Sequence, residues 1–123
     1  MIEVPVVRFD DIDPGAEIAL MKVDVEGFEL HVLKGALRAI EGGRLPVILF
    51  EMNHAIEDYG LRPQDIFDFL ISHGYQIGQY QPEDRTLLLS DSPEGELTAF
   101  TVRGRDLMME RMAGLRIVAG HRP

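Results

Sequence analysis

The 123-residue chain contains no cysteine, so disulfides and thiolate metal sites are excluded, and the composition is compatible with a reducing cytoplasm. No stretch approaches the roughly 18 apolar residues that span a bilayer. The opening Met1-Ile2-Glu3 lacks the charged head and apolar core of a secretory signal. Lys and Arg are not clustered, and the formal net charge is −9. Nucleic-acid binding draws its affinity largely from neutralising phosphates, so DNA and RNA are poor partners for this surface. The expectation is a soluble cytoplasmic protein with neither a nucleic-acid nor a membrane partner.

What the chain does have is 46% hydrophobic residues, the level of a folded globular protein rather than a disordered one. Its length suits one domain over residues 1–123, and a domain of this size buries roughly two-thirds of its unfolded surface. No internal repeat or linker divides it.

The most informative stretch is Ala19 to Ala36, ALMKVDVEGFELHVLKGA. An apolar run from Ile18 to Val25, broken only by Lys22 and Asp24, has the length of a buried parallel strand. Its end is marked by Asp24 and Glu26. Gly27 permits a sharp turn, after which Leu30, Val32, Leu33, Ala36, Leu37 and Ile40 recur at helical spacing. His31, Lys34 and Arg38 fall on the other face and read as a solvated stripe, and Glu29 as an exposed or capping acid of the first turn. The helix ends at Gly42-Gly43, where a left-handed cap is cheap for glycine.

Pro46 leads into a second apolar run, Val47 to Phe50, ending in Glu51-Met52-Asn53-His54. Strand, helix and strand make a right-handed β-α-β unit, with both polar tips on one edge of the sheet. Neighbouring strands lie about 4.8 Å apart, so Asp24 or Glu26 can share one ligand with Glu51 or Asn53. In open α/β sheets ligands bind at these carboxyl ends.

Elsewhere, Val4–Phe9 reads as a short strand before the turn Asp10–Gly15, and Pro63 starts a helix that stops at Gly74. Strands are expected at Tyr75–Tyr80, Thr86–Leu89 and Leu97–Val102, with a weak helix over Arg105–Leu115 and a frayed tail over residues 116–123. The order gives an α/β fold: a partial Rossmann-like sheet that begins parallel and finishes with an antiparallel edge, with helices packed on it.

VPVVRFDDI, LMKVDVEGFELHVLKGA and PVILFE, at their spacings here, resemble the C-terminal half of the FkbM-type methyltransferases. The resemblance implies an enzyme that uses S-adenosylmethionine to methylate a hydroxyl of a small molecule or sugar. It implies that the Ala19–Val25 strand is the fourth of a methyltransferase sheet and Val47–Phe50 the fifth. Such enzymes hold the cofactor with a glycine-rich loop after the first strand, and no G-x-G-x-G occurs here.

Methyl transfer is an in-line displacement, so the protein aligns reactants and removes a proton. Asp24, Glu51 and His54 are the catalytic candidates, His54 because an imidazole ordinarily titrates near the working pH. Asp24 and Glu26 are candidates for the cofactor, and Asn53 and Tyr59 for the acceptor. Asp24, Glu26, Glu51 and Asn53 are also hard oxygen donors of the kind Mg²⁺ prefers. Glu26 and Glu51 as a glycosidase pair require a barrel for which this chain is too short.

Two functions are therefore expected to compete. The first is the acceptor-side half of a methyltransferase, completed by a missing N-terminal half or by a second copy. The second is a non-catalytic half-domain that assembles as a homodimer or with a partner chain, because a half-sheet leaves an apolar edge exposed.

Overall fold

Residues 47–52 alternate with the two-residue period of a strand. Ile48, Phe50 and Met52 enter the larger core cluster, while Val47, Leu49 and Glu51 turn to the opposite face. This strand is the pivot of the sheet. The computed structural model describes residues 7–12, 15, 18–25, 27–90 and 95–119.

The strands are β1 (Met21–Val23), β2 (Val47–Met52), β3 (Gln76–Gln81), β4 (Thr86–Leu89), β5 (Gly95–Phe100) and β6 (Arg116–Ala119). They form one mixed sheet in the order β1-β2-β5-β3-β4-β6. β1 runs parallel to β2, β5 is antiparallel to both β2 and β3, and β4 pairs antiparallel with β3 and parallel with β6. The parallel start and antiparallel continuation agree with the pattern expected from the sequence.

Four further readings are corrected. Phe9, expected to end a strand, opens a one-turn helix, α1 (Phe9–Ile12), within the expected turn; Val4 to Val6 lie outside the described residues. The single helix expected after Gly27 is two, α2 (Glu29–Lys34) and α3 (Leu37–Glu41). The cause is a residue far upstream: the Asp10 carboxylate accepts the backbone N–H groups of Arg38 at 2.8 Å and Ala39 at 3.3 Å, and the Asp10 N–H donates to the Gly35 carbonyl at 2.9 Å. Asp10 thereby caps α3 and interrupts the ladder between the two segments. The segment after β2 is a 3-10 helix over His54–Tyr59 rather than a loop. Residues 116–119, expected to fray, are held as β6 by register with Thr86–Leu89.

On one face, α2, α3 and α4 (Pro63–Ser72) cover a core that includes Leu33, Ile48, Phe67 and Leu70. Pro63 begins α4, where its missing N–H costs nothing, and the Asp65 carboxylate accepts the Arg62 N–H at 2.8 Å. That bond, with the Arg62 guanidinium, holds the Asp65 carboxyl below its usual range. Tyr75 is buried and its hydroxyl donates to the Leu45 carbonyl. Burial pushes the phenol up to about 12.

On the other face, among the described residues, only α5 (Val102–Arg111) is laid down, with Met108 and the following Met112 packed towards Val47, Leu87, Phe100 and Leu115. Its close approach depends on Gly104, where a Cβ would run into the Pro46 carbonyl. Among the described residues, no helix is long and apolar enough to cross a membrane.

Two outcomes follow. Gly104→Ala must push α5 off the sheet, and should lower stability in urea melts by about 1–3 kcal/mol, the usual cost of overpacking. Because the folded-state pKa of Tyr75 is raised, the neutral phenol favours folding below pH 10. That contribution declines as the pH climbs from 10 towards 12. Tyrosinate absorbance should show a component near 12 that Tyr75→Phe lacks.

Candidate functional site

The two strand tips are brought together as the β-α-β reading requires. Val23 pairs with Phe50, so one step further along the same register Asp24 comes beside Glu51. Glu51 in turn faces Glu96 of β5. All three carboxylates border a groove of about 660 Å³ on the sheet face opposite α2–α4, with α5 along its far side. Asp24 and Glu51 are exposed.

The turn beyond β1 is fastened from inside. Glu29 is buried, 3% exposed, and its carboxylate accepts the N–H of Val25 at 3.2 Å and of Gly27 at 3.0 Å. The reading of Glu29 as an exposed or capping acid is thereby corrected: the last acid of K-x-D-x-E-G-x-E clasps its own loop. Gly27 has φ +99°, and a Cβ there would collide with the Ala55 carbonyl. The glycine thus serves both a left-handed backbone and direct contact with the start of the 3-10 helix. The loop after β1 and the segment after β2 are in this way packed as one surface.

The remaining candidates lie on that second segment. The Asn53 side-chain oxygen accepts the Ala55 N–H at 2.8 Å, capping the 3-10 helix. His54 stands out in solvent, its side chain 79% exposed, with Nδ1 3.4 Å from a Glu57 carboxylate oxygen. Tyr59 packs edge-on against Phe28 at 5.3 Å, and Phe28 stacks on His31 at 4.4 Å. His31, expected on a solvated stripe, belongs to this aromatic group. None of Asn53, His54 and Tyr59 borders the groove. Glu26 lies outside the described residues.

Among the described residues, no three His, Asp or Glu side chains converge closely enough to hold a metal ion. The four hard donors noted for Mg²⁺, Asp24, Glu26, Glu51 and Asn53, include one, Glu26, that lies outside the described residues. Glu96 and Thr98 line the groove but were not singled out from the sequence. Their place depends on β5 inserting beside β2, which local pattern does not reveal.

Replacing Glu29 by alanine strands the buried N–H of Gly27 and the part-buried N–H of Val25. The expected result is a loss of about 2–3 kcal/mol of stability, with faster amide exchange at Val25 and Gly27. Unchanged exchange there would mean that the clasp contributes nothing to the loop.

Comparison with known proteins was then informative at one level. No curated protein and no solved structure matches the chain. A family model described as the methyltransferase FkbM domain matches residues 1–77, which take in both strand tips, the clasped loop and α4. This agrees with the resemblance read from the motifs at 19–36 and 46–51. With more than half of its length matched by that model, the chain belongs to the FkbM methyltransferase domain family.

Proposed function

We propose that this chain is the acceptor-side half of an S-adenosylmethionine-dependent O-methyltransferase acting on a hydroxyl of a small molecule or sugar in the cytoplasm. The observation that carries the reading is the β1–β2 register, which sets Asp24 beside Glu51 at the carboxyl ends of parallel strands.

S-adenosylmethionine, when bound, supplies a methyl group on a sulfonium. The residues described fit the reacting end of that cofactor and little more. Asp24 offers a carboxylate suited to a cationic centre, and the resemblance gives Glu26 a related role. The Val25 and Gly27 amides that could have met an anionic group already serve Glu29. The rest of the cofactor must therefore be gripped by a second copy or by an N-terminal half.

Within this site Asp24 orients the acceptor. Glu51 takes the hydroxyl proton as the oxygen forms its bond to the methyl carbon and the carbon–sulfur bond breaks. His54 is the alternative base, reachable if the acceptor extends over the 3-10 helix, where Asn53 and Tyr59 would flank it.

A second reading is supported by the free outer edge of β1 and by Leu20, half exposed beside it. On it, the chain is a non-catalytic half-domain that pairs with another copy or chain.

Calorimetric titration with S-adenosylmethionine and its demethylated product, with light scattering on the same sample, separates the two. Methyltransferase function predicts micromolar binding, about −8 kcal/mol, by an assembled species. Asp24→Asn should weaken it by about tenfold, the loss of one charged contact. No binding by a folded sample would leave the assembly reading.

A further inference from the structure

The groove has a composition of its own. Its floor is apolar, built from Leu20, Val47, Leu49 and Leu87 and flanked by Met108 of α5 and by Met112 just beyond it. Across its strand-tip end run Asp24, Glu51 and Glu96, one carboxylate from each of three adjacent strands. Glu51 and Glu96 are directly opposed in the antiparallel register, an arrangement of like charges that destabilises a sheet. Lys22 and Arg111 also line the groove. Among the described residues, neither is within ion-pair distance of any of the three acids.

A second observation points the same way. Thr98 pairs with Leu49 across the strands, lines this groove, and is only 8% exposed. Its hydroxyl has no hydrogen-bond partner among the described residues. A buried hydroxyl left unpaired costs on the order of 1–3 kcal/mol, and here it faces a space of ligand size. The three carboxylates are not close enough together to hold a metal ion, so the charge they await is spread over an organic group.

We infer that the groove binds an amphiphilic organic cation: an apolar body along Leu49 and Leu87, one polar atom hydrogen-bonded to Thr98, and an ammonium-type group at the Asp24–Glu51–Glu96 row. In identifying this ligand as the methyl acceptor, the inference rests on the methyltransferase reading above. Acceptors carrying phosphate or carboxylate are disfavoured, because their charge would meet three acids at the strand tips.

The test titrates the full chain, ¹⁵N-labelled, with octylamine, octan-1-ol and sodium octanoate at neutral pH, read by amide shifts and calorimetry. Octylammonium should move Leu49, Leu87 and Thr98 and bind about tenfold more tightly than the alcohol, with octanoate weakest. The exposed double variant Glu51→Gln/Glu96→Gln should cut the advantage of the amine over the alcohol to about twofold. Thr98→Val, which keeps the shape of the floor, should weaken a hydroxyl-bearing amine more than octylamine.

Octanoate binding as tightly as octylammonium would overturn the inference and give the groove to Lys22 and Arg111. Shifts confined to other surfaces would also overturn it. So would ligand-free, concentration-dependent shifts at the groove with a dimer by light scattering, which would give the face to a second copy. S-adenosylmethionine titrated into the same sample distinguishes the failures. Cofactor binding without octylammonium binding removes this inference alone. Octylammonium binding without cofactor binding removes methyl transfer by this chain alone and leaves a cation site.

Discussion

The buried carboxylate of Glu29 is the constraint on which the strand-tip region depends. A carboxylate side chain withdrawn from water needs hydrogen-bond partners, and here two backbone N–H groups of the same turn supply them. Their bonds close the chain on itself between β1 and α2, and the resulting shape presses Gly27 onto Ala55. The end of β1 and the end of β2 are consequently one surface, and the neighbourhood of Asp24 and Glu51 is set by the backbone rather than by any contact between the two acids. A local carboxylate–amide clasp between Val25 and Glu29 thus organises elements that are far apart in sequence.

The two faces of the sheet are finished differently. Three helices seal one face around Ile48, Phe50 and Phe67, while among the described residues α5 alone lies on the other and leaves Leu49 and Thr98 lining a groove. Sheets in α/β proteins are ordinarily covered on both faces, and the exposed side is also the one on which the acids stand. Methyl transfer and assembly, as proposed, are therefore readings of the same side of the sheet.

Legibility in the sequence followed the range of the interaction responsible. The strand at 47–52, the Pro63 helix start and the hairpin of β3 and β4 are local matters of alternation, φ preference and turn residues, and each was visible. The family was visible too, because the 19–36 string concentrates residues that one turn requires. The split between α2 and α3 was not, since Asp10 caps a helix about 28 positions away and periodicity carries no trace of it. The same is true of Thr98 and Glu96, whose membership of the groove exists only once β5 has entered between β2 and β3. Glu29 is an intermediate case: an acid two residues after a glycine at a strand end was a signal, but burial of its side chain could be known only from the packing above it.

The position of β5 has a consequence for how the molecule comes together in time. Ile48 is paired with Met21 on one side and with Ala99, on the order of fifty residues later, on the other. During synthesis, β1 and β2 are present long before the strand that completes the centre of the sheet. Until then the flank of β2 lies bare, and the hairpin of β3 and β4 has nothing to join. Closure of such a long loop carries an entropic cost that local helix formation cannot offset, so residues 95–100 should act as the late, rate-setting step. A nascent chain stopped short of them would present an open, strongly apolar strand edge, the form of this protein most exposed to aggregation and proteolysis.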